Sequence, residues 1–332
     1  MDVARSGADK EEDWGRIAAE SGREFARVAR GFWLIPEIIP PADREAVALL
    51  YCFCRRLDDA VDEARDAPAA ALALDRFRAE IAGRAPRRPL VGAFLEMAVR
   101  RRLPLECIGA LLDGMESDLG TVRVPSDAAL LLYAYRVSAA VGLLLAPLLG
   151  VRGPDAEARI VDLGLALQIT NVVLGVGEDA GRGRAYLPGA RLALVGLSHE
   201  DLLRTPGDPA IRPVLRGLAS LADRYYDSAL LGAGSVPLRY RHGVLLLARA
   251  YRDLGWRAAR GERAFKFPAQ LPLGALAWRL ADLGLIALRP RVLGILPPPP
   301  HDPSLHRALA GRRGAEAPST TAIPRRADAP NP

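Results

Sequence analysis

Between about residue 21 and residue 296, apolar side chains recur at three- and four-residue intervals, the spacing that lines one face of an α-helix. Breaks in the pattern fall at Pro36, Pro40–Pro41, Ala67–Pro68, Arg84–Pro89, Pro104, Pro125, Gly153–Pro154, Gly181–Gly189, Thr205–Pro213 and Gly232–Pro237. Proline lacks the amide that a helix interior needs, and glycine ends helices readily, so these breaks divide the chain into about ten or eleven helices. No alternating run bounded by hairpin turns argues for a sheet. The pattern therefore predicts an all-α, single-domain chain with its helical domain over 21–296. A flexible leader is expected over 1–20 and a disordered Pro/Arg-rich tail over 297–332, which opens on four consecutive prolines, Pro297–Pro300.

Two apolar stretches raise the question of a membrane. Ala128–Val151 is apolar enough to span one, yet it carries Arg136, two tyrosines and Pro147. A helix buried on all sides of a large bundle has the same pattern and is the preferred reading, because no second span of equal clarity follows. Leu271–Leu296 carries four charges and Pro290, which fits a surface helix touching a membrane or ordinary core.

Composition narrows the function classes. The chain has 332 residues, half of them hydrophobic, and a net charge of +6 that comes almost wholly from arginine. The arginines are interleaved with Asp and Glu, and no stripe of basic and aromatic residues stands out, so nucleic acid is not an expected partner. Cys52, Cys54 and Cys107 form no framework, and the polar N-terminus is not a secretory signal, so a reducing, cytoplasmic location is expected. The four histidines, His199, His242, His301 and His306, are scattered and suggest neither a zinc cluster nor a catalytic base with a partner.

Two segments carry candidate chemistry. On a helix, Tyr51, Arg55, Asp58 and Asp62 fall at i, i+4, i+7 and i+11, one continuous stripe. Carboxylates one turn apart can share a divalent cation, and Mg²⁺ favours such pairs together with substrate phosphate oxygens. A solvated face with Arg–Asp ion pairs accounts for the stripe equally well. The second segment places Gln168, Asn171, position 175 and Asp179 on a matching stripe. Polar amides inside an apolar helix are costly unless partnered, so they mark either a site or a pair of satisfied core amides. The glycines after Asp179 let backbone approach a phosphate, with Arg182 and Arg184 adding charge. Gly175-x-Gly177-x-x-x-Gly181 has the wrong spacing for a dinucleotide fingerprint.

Taken together and in order, these segments resemble the squalene/phytoene synthase family. LLYCFCRRLDDAVDE at 49–63 is similar to the family's first aspartate-rich motif, and LQITNVVLGVGEDAGRGRAYLP at 167–188 to its second. LLDGMESDL at 111–119, YAYRVSAAVGLLLAPLLG at 133–150 and ADRYYDSALLGAGSVPLRYRHGVLLLARAYRDL at 222–254 match the segments between and after. The resemblance implies a helical isoprenoid-synthase fold with a central hydrophobic cavity, and a head-to-head condensation of two prenyl diphosphates assisted by Mg²⁺, with Mn²⁺ as a substitute. It implies geranylgeranyl diphosphate and phytoene first, and farnesyl diphosphate with a squalene-type product second. Asp58, Asp62 and Asp179 would bind metal, with Glu178 as a further ligand. Tyr51 and Arg55 would contact diphosphate. Phe32, Tyr133, Val137, Gln168, Asn171, Arg182, Arg184 and Tyr251 would meet substrate. An apolar product implies a peripheral position at the inner membrane face.

The chain departs from the family pattern at several points. Gly175 stands where the family has a metal-binding aspartate, Leu174 where it has an arginine, and Gly31 where it has a serine. Phe265–Gln270 lacks most of the family's positive charge. Three readings follow: Glu178 replaces the missing ligand, the reaction is a variant or slower one, or the chain binds prenyl groups without turnover.

Overall fold

A computed structural model describes residues 17, 20–22, 41–262 and 295–315. Phe32, the 265–270 stretch, residues 316–332 and all of the leader except Ile17 and Glu20 lie outside the described residues. Among the described residues the architecture is all-α, with eleven α-helices and a single isolated bridge between Arg123 and Ala185. The helices are α1 (Pro41–Asp62), α2 (Ala67–Ile81), α3 (Pro89–Arg101), α4 (Glu106–Glu116), α5 (Asp127–Ala134), α6 (Ala140–Leu145), α7 (Pro154–Gly181), α8 (Gly189–Ala193), α9 (His199–Arg204), α10 (Arg212–Leu231) and α11 (Leu238–Ala259).

The helix starts follow local chemistry. Asp66 caps α2 by accepting from the Ala69 amide at 2.8 Å, and Ser126 caps α5 through the Ala129 amide at 3.3 Å. Ser198 and Asp201 form a reciprocal capping box on α9. Between α5 and α6 the chain does not leave the helix. It widens into a π-helical turn at Tyr135–Ala139, so that 127–145 is one helical rod.

α7 is the axis of the fold. It is apolar on nearly every side and packs against α10, α11 and the π turn. Two glycines let backbones approach there. A β-carbon on Gly164 would lie 2.4 Å from Ala139 Cα, and one on Gly114 of α4 would lie 2.7 Å from Val137 Cγ1. Thr170 of α7 and Tyr226 of α10 meet through their hydroxyls at 3.0 Å, which satisfies two polar groups inside the core. Both 127–145 and α7 are long and apolar enough to cross a membrane by length and composition, and both are packed into the body over about half of that length. The expectation that no second span of equal clarity follows Ala128–Val151 is thus corrected. The charged groups of α7 lie toward its two ends, at 155–162 and 178–179, and the long stretch between them carries only uncharged polar groups, which leaves its hydropathy high.

The expected disorder from residue 297 does not describe 297–315. A 3₁₀ helix at Pro303–Leu309 buries Leu305, His306 and Leu309 against the core. Arg159 donates to the Pro299 carbonyl at 2.7 Å, Tyr225 Oη to the Leu305 carbonyl at 2.9 Å and Tyr135 Oη to the Arg313 carbonyl at 3.1 Å. Arg313 pairs with both Glu106 and Glu157 at 2.8 Å. Composition flags the proline run, but the partners that hold this segment lie far away in the sequence.

Candidate active site

The C-terminal end of α1 and the C-terminal half of α7 face a common cavity of about 250 Å³. α1 contributes Asp58, Val61 and Asp62; α7 contributes Gln168, Asn171, Val172, Gly175, Glu178 and Asp179. Met115, Asp118, Tyr133, Arg184 and Tyr186 complete the wall. Four aspartates therefore converge on one opening.

Two loops are tied together to bring Arg184 and Tyr186 to that wall. The Ala185 amide donates to the Val122 carbonyl at 3.0 Å, the Val124 amide to the Ala185 carbonyl at 3.1 Å and the Gly189 amide to the Val124 carbonyl at 2.9 Å. Gly183 takes a left-handed conformation (φ 73°), as the turn out of α7 requires. Arg184 is half-buried and reaches Asp62 at 3.9 Å. It thereby links the two acidic segments.

Crowding of negative charge is written into the carboxylates. Asp58 is pushed up to about 6, by burial first and then by Asp62. Its side chain touches the water of the cleft, although protein surrounds it on most other sides. Asp179 is pushed up to about 6 by burial and then by Glu178, with Arg184 and Arg182 opposing. Carboxylates gathered in this way could hold a cation between them.

Asp118 was not singled out from the sequence. It accepts from Tyr186 Oη at 2.5 Å and from Tyr133 Oη at 3.0 Å, and the two rings stack with centroids 4.8 Å apart. Burial raises its pKa even though both phenols donate to it. The three residues come from the end of α4, from α5 and from the loop after α7, separated by 15 and 68 positions. Only their place inside family-like segments gave a signal.

The other expected residues lie away from the cavity wall. Arg55 pairs with Asp59 at 2.9 Å, one turn along the exposed face of α1. Arg182 is exposed and pairs with Glu178 at 2.9 Å, which draws Glu178 toward solvent at the rim. Val137 packs against Gly114 at the α4–π turn contact. Tyr51 and Tyr251 are partly buried against the main core.

A second polar cluster lies inside the bundle. Asp162 is fully buried on α7, with His301 Nε2 at 3.0 Å from Oδ2 and His306 Nε2 at 2.9 Å from Oδ1. The three ligand atoms lie within 4.8 Å of one another, a grouping able to hold a divalent cation. The histidines that looked scattered in sequence thus have a common partner, 139 and 144 positions away.

A family model described as squalene/phytoene synthase matches residues 25–277. The phytoene synthase of Rhodobacter capsulatus is 33% identical over 282 residues, covering 83% of each chain. The phytoene synthase of Cereibacter sphaeroides is 36% identical over 286 residues, covering 80% of this chain and 78% of its own. Among solved structures, a dehydrosqualene synthase in complex with ligand superposes with a TM-score of 0.70 at 21% identity, covering 83% of this chain and 98% of its own.

Proposed function

The chain belongs to the squalene/phytoene synthase family, and on that premise we propose that it condenses two geranylgeranyl diphosphates head to head to give phytoene. The observation that carries this reading is the convergence of Asp58 and Asp62 from α1 with Asp179 from α7 on one cavity that Arg184 also lines. The likeness to phytoene synthases over most of both chains supports geranylgeranyl over farnesyl diphosphate.

The donor set at this cavity is all oxygen, the kind that Mg²⁺ prefers and Mn²⁺ accepts. Asp58, Asp62 and Asp179 would hold the ion, with Glu178 at the rim. Bound there, it supplies positive charge for a departing diphosphate. Arg184, between the two acidic segments, adds a fixed cation that orients the same anion. Gln168 and Asn171 share a hydrogen bond of 3.3 Å and present amide groups beside the carboxylates. The Tyr133–Tyr186 stack, fixed by Asp118, offers aromatic surface suited to an allylic cation, and Val61, Met115 and Val172 add apolar wall. A hydrocarbon product fits work at the cytoplasmic face of a membrane.

Gly175 favours a second reading, in which the chain binds prenyl diphosphate without turnover, since one carboxylate of the second motif is absent. The test is to supply geranylgeranyl or farnesyl diphosphate with Mg²⁺ and follow pyrophosphate release and extractable hydrocarbon. Phytoene from the first substrate is the expected outcome. A hydrocarbon from farnesyl diphosphate alone replaces the substrate assignment. Binding of both without pyrophosphate release under Mg²⁺ or Mn²⁺ replaces the enzyme reading with the second.

A further inference from the structure

The segment 295–315 lies beyond residues 25–277, the part matched by the family, yet it supplies two of the three groups around a carboxylate shielded from all solvent. His301 and His306 both aim Nε2 at Asp162, one at each carboxylate oxygen, with ring centroids 4.4 Å apart. Tetrahedral zinc sites hold N and O ligands about 2.0–2.1 Å from the metal, which sets neighbouring ligand atoms roughly 3.3 Å apart. The two nitrogens meet different oxygens of Asp162, at 3.0 and 2.9 Å, and one ligand atom from each residue lies within 4.8 Å of the others, near enough for the side chains to close on one ion. An outer shell is already in place. Ser228 Oγ donates to Asp162 Oδ2 at 2.6 Å, and Arg159 donates to Ser228 Oγ at 2.6 Å. Such outer hydrogen bonds orient a ligating carboxylate and fix its basicity.

We propose that Asp162, His301 and His306 form a site for a transition ion of the zinc class, separate from the acidic cavity, that fastens the C-terminal segment to α7. Two imidazoles and one carboxylate suit zinc and its neighbours, whereas Mg²⁺ favours all-oxygen shells that keep several waters. The ion crosslinks residues 139 and 144 positions apart, so binding energy enters the stability of the folded chain directly. The segment also has contacts that need no ion, through Tyr225, Tyr135, Arg159 and Arg313. Loss of the site is therefore expected to loosen the segment without unfolding the bundle.

The experiment uses the full chain without prenyl diphosphate, so its result is independent of the condensation reading. The protein is loaded with Zn²⁺, dialysed against excess Mg²⁺ and analysed for metal; a Co²⁺-loaded sample is read by its visible absorption. The expected result is one zinc per chain, a cobalt spectrum with nitrogen ligation, and a melting temperature that a chelator lowers by several degrees. A His301→Gln/His306→Gln variant, checked for helicity by circular dichroism, should retain no zinc, lose the cobalt spectrum and melt at a temperature indifferent to chelator. Wild-type protein that keeps no zinc and melts identically with and without chelator overturns the proposal, leaving Asp162 held by hydrogen bonds to two imidazoles. Zinc retained equally by the double variant overturns it too.

Discussion

The carboxylate of Asp179 lies over Gly175: a β-carbon built on Gly175 would stand 2.8 Å from Asp179 Oδ2 and 3.4 Å from its Cγ. The space that a side chain at 175 would occupy is taken by the acid one turn later. Glu178, the candidate to replace the missing ligand, is exposed and paired with Arg182. Of the two acids at the end of α7, Asp179 is the one that fills the space left at 175.

This relationship sets expectations for Gly175→Asp. The obstacle is the free end of a flexible side chain, so the variant folds, but it adds a negative charge beside Asp179 in a cluster already crowded with anions. Without metal it should melt lower than wild type. With Mn²⁺ it should bind more tightly, by roughly tenfold, or about 1.4 kcal/mol. Calorimetric titration with Mn²⁺ and melting curves with and without the ion check both signs. Unchanged affinity would assign metal binding to Asp58 and Asp62 without help from α7.

Asp118→Ala removes the acceptor shared by Tyr133 and Tyr186. Leaving largely buried hydroxyls unpartnered costs about 1–3 kcal/mol each, so urea unfolding should show a loss in that range or above. Asp118→Asn keeps one acceptor oxygen and the shape, and its loss should be smaller. Equal losses for the two variants would mean that volume, not hydrogen bonding, makes Asp118 matter.

The helices were legible because proline and glycine stand at their ends, and the acidic cavity because its carboxylates sit at helical spacing on two segments. Asp58, Asp62 and Asp179 could be named from that spacing and the family likeness. Asp118 could not, because the two phenols that give it a role come from separate elements. Asp162 reads in sequence as one polar residue in an apolar helix, and its two histidines follow a proline run that suggests disorder. Arg55 and Arg182 show the converse: helical spacing puts the first on the stripe of a candidate site and the glycine-rich turn puts the second beside the other, but a nearer acid, Asp59 or Glu178, claims each of them. Periodicity records which face a residue occupies and is silent about which neighbour its side chain takes.

Glycine at 164 and at 175 should respond oppositely to alanine. In an open helix interior, Gly→Ala gains about 1 kcal/mol. At 175 the β-carbon meets a carboxylate that can swing away, so Gly175→Ala should be neutral or stabilising by up to that amount. At 164 it meets the Cα and N of Ala139, at 2.4 and 2.7 Å, and backbone inside a packed helix pair cannot swing. Gly164→Ala should therefore lose about 1–3 kcal/mol despite the better propensity. Urea midpoints of the two variants, measured side by side, test the contrast. A Gly164→Ala protein as stable as wild type would show that α7 and the π turn are not in the close contact described.

Acid stability should depend on Glu80, which lies far from both polar clusters in role and contacts. Its carboxylate is shielded from water beneath the side chains of Arg76 and Arg88, which reach it at 3.1 and 2.8 Å and are themselves partly exposed. Burial alone would raise its pKa, but the side-chain and backbone hydrogen bonds of Arg88, with help from Arg76, hold it below the usual carboxylate range. The folded protein thus binds the proton less readily than the unfolded chain does. Stability from this group is fully present above the unfolded pKa, about 4.5, and is lost as pH falls through the lower folded value. Glu80→Gln should cost roughly 1.5–3 kcal/mol at pH 7, the worth of hydrogen bonds to a charged group, and far less at pH 3. Urea unfolding of wild type and variant from pH 7 to pH 3 should then give curves that converge toward acid. Curves that stay parallel throughout would mean that the carboxylate keeps the same proton affinity in both states, and that Arg76 and Arg88 hold it only loosely.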